Sequence, residues 1–403
     1  MSLIVRALRY FADGSARTTE RLAADLGLPE KQARVLRTDL VARRVLTDAG
    51  SLDVGKRGPK PQAFRLHAAR GTVIVIQIGL SQVTVAACDL LGRVHSVSHE
   101  PHDRDHGPDD VIASAWQRAS ALAPRHQVWG VGVCIAAPVR YPEGRVARPP
   151  ILRHWDMYDL RGVIARRTAQ PVVVLNDARA AAYGEYLACT SRPQSLVYVK
   201  IGTGIGAGTV LNGRILHGVS GAAGDLGHTA TDRSIAPEGT DDGCRCGRRG
   251  CVAAYAAGWA MARDLGFPDG PGSVTRVRDA LLASDPRAQA VAARAGDVLG
   301  TALAHTVSML NPDEVVLGGQ LALPGPEGQP LLSRVRHQIT QRALPLAAEA
   351  VHLRVSDLAE TAVGRGIPAS ALGGEASRRG LVAAALDEVF NKPDLLARLL
   401  QPA

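Results

Sequence analysis

Three of the chain's six cysteines fall within eight residues in "GCRCGRRGC", Gly243–Cys251, and a histidine, His228, precedes Cys244 by sixteen positions in "GDLGHTATD". The spacing C-x-C-x4-C lets Cys244, Cys246 and Cys251 turn three thiolates onto one cation within a glycine-rich loop, and His228 can supply a fourth ligand. Four protein ligands leave no position for water, so the zinc this set would hold is structural. A redox switch is the other chemistry that three close thiols allow. A second run able to do chemistry is "VVVLNDARAAAYGE", where Asn176 and Asp177 stand between an apolar strand pattern and a helical one. That junction is a common place for ligand contacts in α/β proteins. Capping of the helix is the alternative use of the Asp177 carboxylate. Cys88, Cys134 and Cys189 lie among apolar residues and read as buried thiols.

The elements that must position these residues occupy two compositionally different regions. The chain of 403 residues carries 47 Lys/Arg against 38 Asp/Glu, yet residues 1–70 hold 14 of the basic and seven of the acidic ones, leaving the remainder almost neutral. A basic module is therefore joined to a nearly neutral body, a footprint of nucleic-acid binding. In it, "SLIVRALRYFAD" places Leu3, Ala7, Leu8 and Phe11 at helical spacing, and "TTERLAADLG" opens on capping hydroxyls and closes on Gly27. "LPEKQARVLRTDLVARRVL" then repeats apolar residues at Val35, Leu36, Leu40, Val41 and Val45. Two helices about a glycine turn make a helix-turn-helix, whose third segment would present Glu30, Lys31, Gln32, Arg34 and Arg37 to a major groove. "LTDAGSLDVGKRGPKPQAFRLH" follows as two strand-like runs about a tip carrying Lys56, Arg57 and Lys60, a wing able to touch phosphates. No uncharged run reaches the length of a membrane span and no apolar leader pattern opens the chain, so a cytoplasmic protein without membrane insertion is expected.

From Thr72 the pattern becomes a β-meander, "TVIVIQIG", "VTVAACDL" and "RVHSVSHE". A helical run, "VIASAWQRASALA", and further strands, "VWGVGVCIAA", "PVVVLND", "SLVYVKIGTGIGAGTVL" and "DEVVLGG", alternate after it, which argues for an α/β body of two similar lobes. Together "GHTATD…GCRCGRRGC", "LNDARAAAYGE" and "KIGTGIGAGTVLNGRILHGVSGAAGDLGHT" resemble the ROK family of repressors and sugar kinases. The resemblance implies a two-lobed actin-like ATPase (ribonuclease H-like) fold preceded here by the winged helix-turn-helix. Its expected division is 1–70 for the DNA-binding domain, 71–190 for the N-lobe and 191–403 for the C-lobe, with the C-terminal helix "SRRGLVAAALDEVF" packing back on the body. It also implies a structural Zn2+ on His228, Cys244, Cys246 and Cys251, and a sugar cleft formed by Asn176, Asp177, Asp225 and His228. There the Asp matching Asp177 is the base of the family's kinases.

Departures from the family pattern matter as much as the matches. "GDLGH" sets Asp225 where the family has Glu, and "GCVAA" sets Ala253 where its sugar kinases have another Glu. In the first phosphate loop "QIGLSQ" replaces an Asp-x-Gly-[Gly]-Thr type sequence, so that Gln77 stands in the position of the metal-organising Asp, with Leu80 and Ser81 beside it. Phosphoryl transfer needs nucleotide and metal fixed against the acceptor, so the expectation is a kinase-inactive pocket, with Asp177 kept as a vestigial base. "GTGIGAG", Gly202–Gly208, remains able to cradle phosphates. The reading is thus a sugar-responsive transcriptional repressor of carbohydrate uptake or catabolism genes. It would bind operator DNA and a sugar or sugar-phosphate effector as a homodimer or homotetramer. Its alternatives are an ATP-dependent sugar kinase with a DNA-binding domain, and a scaffold for a sugar-transport protein.

Overall fold

The computed structural model describes residues 3–53, 55, 59–102, 106–123, 128–232, 241–359 and 374–401. At the N-terminus α1 (Leu3–Phe11) is followed by a short strand β1 (Arg17–Thr18), α2 (Thr19–Leu26) and α3 (Glu30–Ala42). Thr18 caps α2 by accepting from the Arg21 N–H at 3.2 Å, and Gly27 ends it in the left-handed region at φ 63°. Glycine takes that conformation without the Cβ clash other residues meet. The sequence pattern carries the third helix on to Leu46, but it stops at Ala42; Arg44 turns the chain at φ 56° and Leu46 already begins a strand. A second correction concerns its apolar stripe: Ala33, Leu36 and Leu40 are buried, whereas Val35 is 64% exposed and Val41 37%. β2 (Leu46–Ser51) and β3 (Gln62–Leu66) pair antiparallel and β1 adds to β3, giving the element order of a winged helix-turn-helix.

The body repeats one sheet twice. In the first lobe β4 (Thr72–Ile78), β5 (Gln82–Cys88) and β6 (Val94–Pro101) form the expected antiparallel meander. After α4 (Pro108–Leu122), β7 (Val128–Ile135) lies parallel to β4, and a two-stranded ribbon of β8 (Val139–Arg140) and β9 (Arg145–Val146) and the helix α5 (Leu160–Ala165) lead to β10 (Val172–Asn176), parallel to β7. Following α6 (Asp177–Ala188), the second lobe has β11 (Ser195–Ile201), β12 (Ile205–Leu211) and β13 (Arg214–Ile215) antiparallel, then β14 (Glu314–Gly318) and β15 (His352–Val355) parallel. Both five-stranded sheets run, in lobe order, third, second, first, fourth, fifth. β7 is buried at every position because helices cover both faces, the usual reason for a continuous apolar run. α7 (Ala253–Ala256), α8 (Gly258–Asp264), α9 (Ser273–Leu282) and α10 (Pro286–Leu310) intervene before β14, and α11 (Gln329–Arg342) and α12 (Pro345–Ala350) before β15. Among the described residues no helix is long and apolar enough to cross a membrane.

Two helices join the lobes. α6 packs on β11 and β12 of the second sheet, while α13 (Glu375–Phe390) returns to β4, β7 and β10 of the first, and the two helices cross each other. Their approach is set by glycine: a Cβ on Gly184 would lie 1.8 Å from the Ala376 carbonyl, and one on Gly380 1.8 Å from that of Ala180. The winged helix-turn-helix docks on the same crossing. Arg9 of α1 pairs with Asp387 at 3.0 Å and donates to Asn391 at 3.1 Å, and Tyr183 of α6 donates to the other Asp387 oxygen at 3.2 Å. Arg192, beyond α6, pairs with Asp13 at 3.2 Å, and Arg70 donates to the carbonyls of Leu399 and Gln401 beyond the last helix, α14 (Pro393–Leu399). One apolar cluster accordingly runs from Leu8 and Phe11 through Val75 and Trp129 to Leu381 and Phe390.

The crossing yields a stability test. Gly380→Val drives two methyl groups into the α6 backbone and is expected to cost about 3 kcal/mol, read as a lowered denaturant midpoint; unchanged stability would show that the helices separate freely.

Candidate functional site

The four metal-ligating side chains converge. One ligand atom from each of His228, Cys244, Cys246 and Cys251 lies within 4.8 Å of all the others. Cys244 Sγ is 3.5 Å from His228 Nδ1, and Cys246 Sγ is 3.7 Å from Cys251 Sγ. Zinc bonds of about 2.3 Å to sulfur and about 2.0 Å to nitrogen, arranged tetrahedrally, require ligand separations close to those. Backbone contacts hold the loop: bridges join Ala230 to Cys251 and Gly243 to Arg249, and the Gly247 N–H donates to the Cys244 carbonyl at 2.9 Å. Burial pushes the Cys251 thiol up to about 12, so three free thiolates would not persist here without a cation. The expected long insertion between His228 and the cysteines falls largely on residues 233–240, outside the described residues. Between the first two cysteines Arg245 stacks on Trp259, its guanidinium carbon 4.9 Å from the ring centroid, with Arg263 at 5.5 Å from the same ring.

At the head of α6 the capping question resolves in favour of Asn176. Its Oδ1 accepts from the N–H groups of Ala178 (3.0 Å) and Arg179 (3.4 Å), and its amide donates to the Ala137 carbonyl at 3.2 Å. Asp177 is left facing the cleft, with Oδ1 on the Ala178 N–H at 2.9 Å and Oδ2 held by Lys200 Nζ at 2.5 Å. Burial alone would lower the Lys200 ammonium, but the adjoining Asp177 carboxylate reverses this and the net shift is upward. Sequence reasoning missed Lys200, because its partner is 23 residues away and belongs to the other side of the lobe junction.

It also missed Arg179, 4% exposed, which donates to the Ala223 carbonyl at 3.1 Å and so ties α6 to the "GDLGH" segment. Burial lowers the Arg179 guanidinium and the Asp225 carboxylate offsets that, which places Asp225, itself exposed, within its electrostatic reach. His228 follows Asp225 on a single 3-10 turn. His228 Nδ1 faces the sulfur cluster, 3.5 Å from Cys244 Sγ. His217 stacks on Tyr141 at 3.5 Å and is lowered to about 4 by burial and by Arg179. Ala253 is buried in the C-lobe core at the start of α7 and offers no polar atom.

The two loops expected at phosphates differ from each other. Gln77 is 6% exposed within β4, between Thr84 of β5 and Cys134 of β7, and its side chain interacts with the Cys134 thiol. The hairpin after it closes on itself, Gly79 N–H to Gln82 carbonyl at 3.0 Å, and Leu80 packs down on the lobe's core. In the second loop Gly202 N–H meets the Gly204 carbonyl at 3.0 Å, while the carbonyls of Gly202 and Thr203 accept from Gly258 and Trp259 at the start of α8.

On the N-terminal domain Lys31, Gln32 and Arg34 are exposed on α3. Arg37 is not free in the same way: its guanidinium lies 5.0 Å over the Phe64 ring and donates to Thr19 and Thr38. Lys60 pairs with Asp53 at 3.0 Å with both side chains exposed, and Lys56 and Arg57 lie outside the described residues.

Comparison with known proteins matches this architecture. The profile described as "ROK family" covers residues 73–371. The glucokinase of Halalkalibacterium halodurans is 32% identical over 224 residues, 52% of this chain and 66% of that protein. The xylose repressor of Bacillus spizizenii is 25% identical over 317 residues, 77% of this chain and 79% of that one. Among solved structures, a ROK family transcriptional regulator described as a homolog of the E. coli MLC protein superposes with a TM-score of 0.68 at 23% identity, over 96% of this chain and 99% of that one. A kinase and a repressor are thus both similar to this chain, whose two repeated sheets have the actin-like ATPase arrangement, and the chain belongs to the ROK family.

Proposed function

We propose that this chain is a sugar-responsive, DNA-binding repressor of carbohydrate uptake or catabolism genes that holds its sugar without phosphorylating it. The observation that carries the reading is Asp387, which takes Arg9 of the DNA-binding domain on one oxygen and Tyr183 of α6 on the other. The head of α6 bears Asn176 and Asp177, so a ligand that moves α6 also moves a contact of the domain that reads DNA. Such coupling requires the ligand to bind the two arrangements unequally. Gln77 in place of a carboxylate, and a first loop closed over Leu80, support a pocket without phosphoryl transfer.

In this reading Asp177, Asp225 and the outer nitrogen of His228 accept or donate to sugar hydroxyls, and Asn176 keeps the α6 head in place. Zn2+ on His228, Cys244, Cys246 and Cys251 supplies folding free energy and fixes the His228 ring. Two copies related by a twofold axis would set α3 of each, with Lys31, Gln32 and Arg34, into successive major grooves of a pseudo-palindromic operator. Arg37 braces α3 against the wing, and Lys56, Arg57 and Lys60 approach the backbone. The second reading, an ATP-dependent sugar kinase, is favoured by the retained Asp177 and the Gly202–Gly204 turn; turnover of ATP with any hexose would establish it.

Fluorescence anisotropy on the chain's own upstream DNA, with excess nonspecific duplex, should show binding that a sugar shifts. Asp177→Asn is expected to lose that shift, and a normal shift in the variant overturns the pocket assignment. Asp387→Asn should cut the sugar-dependent change in operator affinity at least fivefold while calorimetry still records the sugar; an unchanged ratio removes Asp387 from the coupling. Elemental analysis should find one zinc per chain. Cys246→Ser should lose it and lower the unfolding midpoint by about 5 °C or more, whereas full stability without metal would sink the structural role.

A further inference from the structure

We infer that Val35 is a base-reading residue of α3 and that its partner is the C5 methyl group of a thymine in the major groove. The inference rests on the DNA-binding reading above. Val35 fits the apolar period of the helix, yet it stands 64% exposed while Ala33, Leu36 and Leu40 are buried. Among the described residues of the N-terminal domain, Val41 at 37% is the only other exposed large aliphatic. Steps of four, three and four residues set Lys31, Val35, Thr38 and Ala42 on one line of the helix, opposite the buried side, and all four are exposed. The domain is attached to the body through Arg9, Asp13 and Arg70, none of which belongs to α3. Docking on the body therefore leaves this line uncovered.

The neighbours of Val35 decide what covers it. Lys31 lies one turn before it and Arg34 beside it, both exposed, in a module with 14 basic and seven acidic residues over 1–70. Cations around one aliphatic side chain complement a polyanion that carries an apolar spot, whereas the centre of a protein–protein contact is depleted of lysine. Thr38 adds little polarity to the line, because its hydroxyl donates to the Arg34 carbonyl at 2.9 Å and accepts from Arg37 at 3.1 Å. Among the groups that base pairs present in the major groove, the thymine C5 methyl is the only alkyl one; the rest are hydrogen-bond donors and acceptors. Against adenine N6 or guanine O6, Val35 would strip water and return no bond. Against the methyl group, two apolar surfaces leave water together. Selection for thymine thus has two parts, an attraction to the methyl and a desolvation cost on the other bases. β-Branching also fixes the valine rotamer on a helix, so the contact orders little that was free.

The test uses the full chain and the segment of its own upstream DNA that it protects from nuclease. Each thymine is replaced in turn by deoxyuridine, which removes the methyl and keeps every hydrogen-bonding group, and affinity is read by fluorescence anisotropy. At one thymine per half-site the replacement is expected to weaken wild-type binding about fourfold, the equivalent of one buried methyl group. Exchanging that T·A pair for C·G should weaken it about fivefold or more. Val35→Ala should bind the thymine and deoxyuridine duplexes equally, Val35→Ile should keep the preference, and the remaining thymines should affect all three proteins alike. Specific operator binding in which no deoxyuridine separates wild type from Val35→Ala overturns the inference and leaves the regulator reading standing. A Val35→Ala chain that keeps the deoxyuridine response but sediments as a smaller assembly overturns it too, since Val35 would then face a second copy. A chain that binds no DNA specifically sinks both. Should Val35→Ala fail to fold, wild type and Val35→Ile still decide: a wild-type chain indifferent to every deoxyuridine, or an isoleucine variant that loses the preference, overturns the assignment.

Discussion

The approach of α6 and α13 is the contact on which the rest of the molecule hangs. Two helices can come this near only where Cβ atoms are missing, and Gly184 and Gly380 remove them at reciprocal positions, each facing the other helix's carbonyl. Because α6 is packed on the second sheet and α13 on the first, the glycine pair fixes how the lobes meet. Several of the candidate residues are attached to these helices. Asn176 and Asp177 open α6, Arg179 ties it to "GDLGH", Tyr183 and Asp387 meet across the pair, and Arg9 brings in the DNA-binding domain. Packed interiors switch between discrete arrangements more readily than they deform continuously, so a helix pair of this kind suits a two-state element.

Within the cleft the electrostatics centre on Asp177 and Lys200. An ion pair partly removed from water contributes little net stability, yet removing one partner leaves the other uncompensated. The cysteine loop stands close behind, since Arg245 between Cys244 and Cys246 stacks on Trp259, whose backbone N–H donates to the Thr203 carbonyl of the glycine turn at 3.2 Å. The cysteine loop and the glycine turn are thereby tied together through Trp259.

What could be read from the sequence follows from how local each feature is. The cysteine loop was legible because its sulfurs are near neighbours in the chain, and the β-meander because period and β-branching are local properties. The helix-turn-helix was legible in its cap at Thr18 and its stop at Gly27, and its apolar stripe in part: Leu36, Leu40 and Val45 are buried, Val35 and Val41 are not. Val35 fits a 3.6-residue pattern and still faces outward, since Ala33 rather than a larger residue supplies that part of the core. The Asn176 and Asp177 pair was recognised as important, though which of the two caps the helix depended on the distant Ala137 carbonyl. Lys200, Arg179, Asp387 and the docking of the first domain are long-range contacts between residues that look like ordinary surface charges in a linear reading.

The position of α13 has a consequence for biosynthesis. The strand core of the first lobe and the seat for Arg9 are completed by residues 375–391, more than 300 residues after the N-terminal domain they support. During translation, the N-terminal helices and the first lobe would leave the ribosome long before the helix that covers them, with the apolar underside of β4 and β7 awaiting its partner. Contacts so far apart in sequence slow folding and prolong exposure of such a surface. A nascent or truncated chain would then carry a folded N-terminal domain whose anchor, Asp387, had not yet been made.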